Sequence, residues 1–306
     1  MQVILIISIS RKIQEKKQSF DFILVVHIKN ICKSFGYKDY RNNNGTSPAN
    51  SNVPGKQQQV LKNARTTSLY RVLNSVEQRI MEREFVTIVG PSGCGKSTLL
   101  NIIAGLDRPD SGSVLVREAV AGNNALSTKM VMIFQEGALF PWLNVRDNVE
   151  FGPKTAKMPK EIWHQIADKY RNGRLVKFSE SFVYQLSGGM KQRVAISYAL
   201  ATEPEVLLMD EPFASLDIQT RHLLHDELVD IHKTTGKTVL FLTHNIDEAI
   251  LLGDGVIVLC SVLKNIKKEF RIDIQRPRDP ESQGFCEIKE QTLREFEGDL
   301  SIAKKR

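Results

Sequence analysis

From Phe85 onward, short and almost wholly apolar runs alternate with stretches whose apolar residues recur at helical spacing. Phe85–Val89, Val206–Met209 and Thr238–Leu242 are such runs. Strands covered on both faces read this way, because every side chain meets a packed layer. Between Asp217 and Gly236, the residues Leu224, Leu228 and Ile231 share one face of a helix. Asp217 suits its N-cap and Gly236 its close. Thr98–Leu106 reads as a further helix after the first run. The alternation predicts an α/β core with a largely parallel sheet. A different pattern occupies 136–185. Pro159 can start a helix carrying Ile162, Ile166 and Tyr170, which Gly173 can end, and parallel-strand signals are missing. A helical subdomain is expected there.

Ahead of this core, Phe22–Ile28 is dense in β-branched residues and reads as a first strand on an antiparallel N-terminal side. Residues 41–59 are polar and turn-rich, the composition of an exposed loop or a disordered insertion. Apolar patterning resumes at Val72. The expected organisation is an extension over 1–19, a main domain over 20–270 with an insertion bounded at 36–70, and a tail over 271–306.

Composition narrows the class. With 306 residues, the chain can bury a sizeable core. Its net charge of +7 suits an anionic ligand or an acidic surface. No arginine-rich stripe interleaved with aromatics is present, so nucleic acid is not an expected partner. Cys32, Cys94, Cys260 and Cys286 are scattered, which argues against zinc or a disulfide framework. No run approaches the length of a membrane span. Val3–Ile9 is apolar but short, and its basic residues follow it, the reverse of a secretory signal. A membrane role therefore needs a partner chain.

The sharpest chemical signal is Gly90-Pro91-Ser92-Gly93-Cys94-Gly95-Lys96-Ser97, placed between a strand and the helix that continues at Thr98. Glycines allow the tight turn that aims several N–H groups at one anion, and the helix adds its positive end. Lys96 can reach β- and γ-phosphates, and Ser97 can ligate Mg²⁺. Cys94 reads as a small filler, because no base stands near it in sequence.

Further motifs follow in order: Gln135 after Met130-Val-Met-Ile-Phe; Leu186-Ser187-Gly188-Gly189-Met-Lys-Gln-Arg193; Asp210-Glu211 directly after an apolar strand; Ser215-Leu-Asp217; and Thr243-His244. Paired carboxylates at a strand end are costly without a cation, and open α/β sheets place ligands at that edge. This ordered set resembles the ATP-binding cassette family of transport ATPases over roughly residues 20–280. The resemblance implies a phosphate-loop NTPase fold with a helical subdomain carrying the signature at 186–193. It implies ATP and Mg²⁺ as ligands. Asp210 then holds Mg²⁺ mostly through water, Glu211 accepts the proton of the attacking water, and His244 hydrogen-bonds the γ-phosphate. Gln135 senses Mg²⁺ and that water. Ser187, Gly188, Gly189 and Asp217 face the nucleotide of a second subunit in a head-to-tail dimer. Phe35, in Lys33-Ser-Phe, resembles the aromatic that stacks on adenine; Tyr37, Tyr40 and Tyr70 are alternatives for that role.

One branch of the family fits best. Pro141-Trp142, Asp147-Asn-Val149, Thr243-His-Asn-Ile-Asp-Glu-Ala249 and Arg276-Pro-Arg-Asp279 resemble the importers of nitrate, sulfonates and taurine. That branch implies separate transmembrane permease subunits, indirectly a solute-binding protein, and a peripheral position on the cytoplasmic face of the membrane. Arg83 and Gly255 depart from the family pattern, which usually has a glycine and a basic residue there. A soluble cassette ATPase of DNA repair or translation is the rival class. Its usual second cassette, long coiled coil or zinc module is not seen in this sequence. An exporter subunit, or an importer of another solute, is the third reading.

Overall fold

The computed structural model describes residues 23–38, 67–117, 119–120, 130–135, 139–159 and 175–303. Two sheets organise them. The first is antiparallel, with strand order β2-β1-β4-β5. Its strands are β1 (Leu24–Lys38), β2 (Thr67–Met81), β4 (Ser111–Val116) and β5 (Ala119–Val120). β1 begins near the expected first strand but runs ten residues past Ile28 to Lys38. Phe35 pairs with Tyr70, Gly36 with Leu69 and Lys38 with Thr67. The insertion expected over 36–70 is therefore narrower, since both of its ends belong to this ladder. Its polar centre, 41–59, and the extension over 1–19 lie outside the described residues.

The second sheet has order β10-β9-β3-β8-β7-β6. β3 (Phe85–Val89), β6 (Met130–Ile133), β7 (Val206–Asp210), β8 (Thr238–Thr243) and β9 (Gly255–Leu259) run parallel, and β10 (Ile266–Arg271) is antiparallel to β9. Alternate residues of β3 and β8 go to opposite faces, and both faces are covered. Val86, Ile88, Leu240 and Leu242 join the antiparallel sheet and the helix α1 (Lys96–Ile103) in one core. Phe85, Val239 and Phe241 pack instead with the helices α3 (Gly188–Ala201) and α4 (Ile218–Thr235). This explains the continuous apolar runs of the sequence. α1 starts at Lys96, two residues before the expected Thr98, and ends at Ile103.

α4 follows its sequence signals closely. The Asp217 carboxylate accepts the Thr220 N–H at 2.9 Å, and Gly236 closes the helix with φ 60°. Part of the helical subdomain is described: α2 (Val145–Thr155) packs on α3, with Val145, Val149, Leu175, Leu186, Val194 and Ala201 as a separate small core. The helix expected after Pro159, with Ile162, Ile166, Tyr170 and Gly173, lies outside the described residues.

The last part of the chain is no solvated tail. α5 (Ile246–Leu252) precedes β9, and α6 (Gln283–Ala303) returns over the sheet edge with Phe285 fully buried. Between β10 and α6, Arg278 donates to the carbonyls of Gly253 at 2.6 Å and Ile274 at 2.9 Å, and also to that of Ile250. A guanidinium thus satisfies carbonyls that the end of α5 leaves open. Burial, aided by the nearby Arg276 charge, lowers its pKa to about 10. Among the described residues, no helix is long and apolar enough to cross a membrane.

Candidate active site

β3 ends at Val89, and α1 begins after six intervening residues, at Lys96. Its N-cap is Gly95, with φ 104° and no side chain to cap the helix. A Cβ at Gly95 would lie 2.9 Å from the Val72 carbonyl oxygen, so the close approach of β2 also demands glycine. The first turn of α1 therefore offers bare donors to an anion. Gly90 is buried, Pro91 half-buried, and Ser92 and Gly93 form the exposed rim; Thr98 lies inside α1. Cys94 is fully buried and burial pushes its thiol up, as expected of a filler. The Lys96 ammonium lies 2.8 Å from the Gly90 carbonyl, 3.4 Å from that of Pro91 and 3.5 Å from a Glu211 carboxylate oxygen.

The end of β7 supplies the acids. Ser97 Oγ donates to Asp210 Oδ1 at 3.1 Å. Burial raises the Asp210 carboxyl above the usual aspartate range, and the Glu211 charge adds to this; the Ser97 hydrogen bond and Lys96 oppose it. A hydroxyl beside a partly buried carboxylate is a hard-oxygen donor pair suited to Mg²⁺. Among the described residues, no three His, Cys, Asp or Glu side chains gather as a metal site. A cation here would thus take its other ligands from bound phosphate and water. Glu211 leaves the strand in the left-handed region, φ 45°, while its N–H still bonds the Leu242 carbonyl of β8 at 3.0 Å. Non-glycine residues rarely hold this conformation, and it concentrates at working sites. The Glu211 carboxylate lies between Lys96 and His244, whose Nδ1 is 2.8 Å away on an exposed ring. Lys96, Ser97, Asp210, Glu211 and His244 are thus brought together at one edge.

Other candidates are not. Gln135 stands exposed in the turn after β6, an edge strand, with no hydrogen bond among the described residues to Ser97, Asp210 or Glu211. Ser187 caps α3 by accepting the Met190 N–H at 3.4 Å. A Cβ on Gly189 would stand 2.3 Å from Thr220 Cγ2, so the start of α3 presses on the first turn of α4. Asp217 is at that same turn, its carboxyl lowered first by the Thr220 N–H. Ser187, Gly188 and Asp217 are exposed. No hydrogen bond among the described residues ties them to 90–98.

Of the aromatic candidates, Phe35 and Tyr70 are cross-strand partners and both are exposed. Lys33 lies 5.2 Å above the Phe35 ring. Lys264 lies 5.2 Å above Tyr70, donates to its hydroxyl at 3.0 Å and reaches the Gly93 carbonyl at 3.5 Å. Among the described side chains, only Tyr70 is linked in this way to the phosphate-binding loop. The side chain of Tyr37 and all of Tyr40 lie outside the described residues. Sequence reasoning missed Lys264, and it missed the buried pair Glu248 and His225 behind His244. Glu248 stands in the run Thr243-His-Asn-Ile-Asp-Glu248-Ala249, which carries part of the branch resemblance, but that run assigns it no role.

The family model described as ABC transporter matches residues 73–214. A nitrate import ATP-binding protein of Synechocystis sp. is 45% identical over 212 residues, covering 69% of this chain and 78% of its own. A taurine import ATP-binding protein of Ruegeria pomeroyi is 38% identical over 237 residues, covering 74% of this chain and 87% of its own. Among solved structures, a dimeric ATP-binding cassette in a post-hydrolysis state with ADP and Pi aligns with TM-score 0.62 at 29% identity, covering 82% of this chain and all of that one.

Proposed function

The chain belongs to the ABC transporter family, and from that premise we propose that it is the ATP-hydrolysing subunit of a membrane importer for a small oxyanion. The observation that carries the enzymatic part is the Glu211 carboxylate, placed between Lys96 and His244 at the carboxyl edge of the sheet. Lys96 and the N–H groups of residues 90–98 bind the phosphates of ATP. Ser97 and Asp210 would hold Mg²⁺, and Gln135 would sense that ion and the attacking water. Mg²⁺, when bound, offsets the negative charge of the phosphates. Glu211 takes the proton as water attacks the γ-phosphorus and the bond to the ADP oxygen breaks. His244 donates to the γ-phosphate. Phe35, with Tyr70 beside it, offers the aromatic face for adenine.

The open start of α3 gives the second half of the argument. Ser187, Gly188, Gly189 and Asp217 complete the site of a partner subunit in a head-to-tail dimer. The relative in the solved structure is dimeric.

Coupling to a permease is assigned to the turn before α2. Asn148 is fully buried and holds this turn: it accepts the Phe140 N–H at 2.9 Å and donates to the Leu143 and Asn144 carbonyls at 3.2 and 2.9 Å. Phe140 packs on Phe151, while Trp142 stands 69% exposed. A rigid turn presenting an indole that rests on Phe140 and is otherwise exposed suits a docking point near residues 138–143 on the cytoplasmic face of the membrane. Ala138, at the edge of this expected contact, lies outside the described residues. The import names of the relatives favour this reading over a DNA-repair or translation ATPase, and their nitrate and taurine cargoes favour an oxyanion. The Arg276–Asp279 segment does not bear on cargo, since its arginines serve the end of α5 and Asp254.

Reconstitution with the co-purifying permease and binding protein tests this. ATP-driven uptake of nitrate, taurine or an alkanesulfonate is expected, with Trp142→Ala lowering uptake more than basal ATPase activity. Stimulation only by a sugar or an amino acid would overturn the oxyanion cargo and leave the importer standing.

A further inference from the structure

Glu248 has no role in the chemistry above, yet it is the hub of the polar contacts beneath His244. It lies on α5 and is 6% exposed. One carboxylate oxygen accepts a short hydrogen bond from Thr243 Oγ1. The other is 2.7 Å from His225 Nε2, which must carry the proton to face a carboxylate. Thr243 Oγ1 in turn accepts the Asn245 N–H at 3.0 Å. Asn245 Oδ1 then accepts the N–H groups of Asp247 and Glu248 at 2.9 and 3.2 Å. Both chain neighbours of His244 are thus fixed, Thr243 by Glu248 and Asn245 by Thr243. On the far side, the His225 ring lies 5.5 Å from Phe213, two positions after Glu211, and His225 belongs to the helix capped by Asp217.

This arrangement is expensive for a merely structural one. A carboxylate is taken out of water, and His225 Nδ1 is buried with no partner among the described residues. Apolar residues of similar volume would serve the core as well or better. We propose that Glu248 is a positioning residue for His244, and that His225 holds Glu248 in place, so that α4 and the turn bearing His244 move as one. The inference rests on the reading of His244 given above.

The test compares turnover and ATP affinity in variants of the full chain. Thr243→Val removes the hydroxyl at nearly constant volume and suits a strand. It is expected to lower kcat on the order of ten- to a hundredfold with little change in KM for ATP, as misplacement of a reacting group does. Glu248→Ala should act alike, and Thr243→Ser should recover most of the loss. Adding Glu248→Ala to His244→Ala should leave kcat where His244→Ala alone puts it, because residues acting through one another are not additive. Losses that multiply in the double variant, or a Thr243→Val enzyme with wild-type kcat, would overturn the proposal. Wild-type turnover in His244→Ala would instead overturn the reading of the site itself.

Discussion

The amino-terminus of α1 is enclosed, whereas that of α3 is open. Both present backbone N–H groups at the positive end of a helix, and both follow small residues. At α1 the cap is a glycine without a side chain, and Lys96 of the helix itself is joined by Asp210, Glu211 and His244 from the ends of β7 and β8. At α3 the serine caps its own helix, the nearest neighbour is the first turn of α4, and Ser187 and Gly188 face solvent. The difference teaches that a helix end becomes a phosphate site through what surrounds it. Under the reading proposed above, one chain holds one half-site of each kind, and two chains are needed to close either.

The largest expected effect breaks the enclosed end. Glu211→Gln should retain ATP and favour the dimer while turnover falls on the order of a hundred- to ten-thousand-fold, the usual loss of a catalytic base. Lys96→Ala should lose nucleotide binding and hydrolysis together. Single-turnover kinetics alongside equilibrium nucleotide binding separates the two, and near-normal hydrolysis by the Glu211→Gln protein would remove Glu211 as the base. The smallest expected effect is a control outside both ends. Arg83 sits in the left-handed region, φ 64°, where the family usually has glycine. Its backbone is held from two sides, its N–H donating to Thr238 Oγ1 at 3.0 Å and its carbonyl facing His232 Nε2 at 3.1 Å. Arg83→Gly should relieve the strain and raise stability by about 1 kcal/mol, with ATPase activity unchanged. Thermal unfolding measures it, and a loss of stability would show that the arginine side chain contributes more than its backbone costs.

The two ends also differ in how far the sequence reveals them. Residues 90–98 are contiguous and flanked by a strand and a helix, so local pattern alone marks the enclosed end. Asp217 and Gly236 mark α4 for the same reason, since capping is decided within a few residues. Glu211 was legible as an acid after an apolar run, but its left-handed backbone was not, because it sits beside β8, bonded to the Leu242 carbonyl, and β8 is distant in sequence. The length of β1 was hidden as well. Its pairing partner lies beyond a polar stretch, and strand ends such as Gly36 and Leu69 take their conformation from each other. Arg278 and Phe285 looked like parts of a tail. Their burial depends on α5 and the sheet edge, which no local window contains.

The claim that the open end belongs to a neighbour's site is tested most directly by mixing two defective subunits. Lys96→Ala removes the enclosed end of one subunit, and Gly188→Asp places a negative charge on the open end of the other. Both also carry Glu211→Gln to prevent turnover. Each mixed dimer then has one site built from an intact Lys96 and an intact Gly188, and one with neither. The account predicts ATP-driven mixed dimers with a single occluded nucleotide, while neither variant alone occludes any. Mixtures that occlude no more than the separate variants would contradict it, as would a wild-type specific ATPase rate independent of protein concentration down to the monomer.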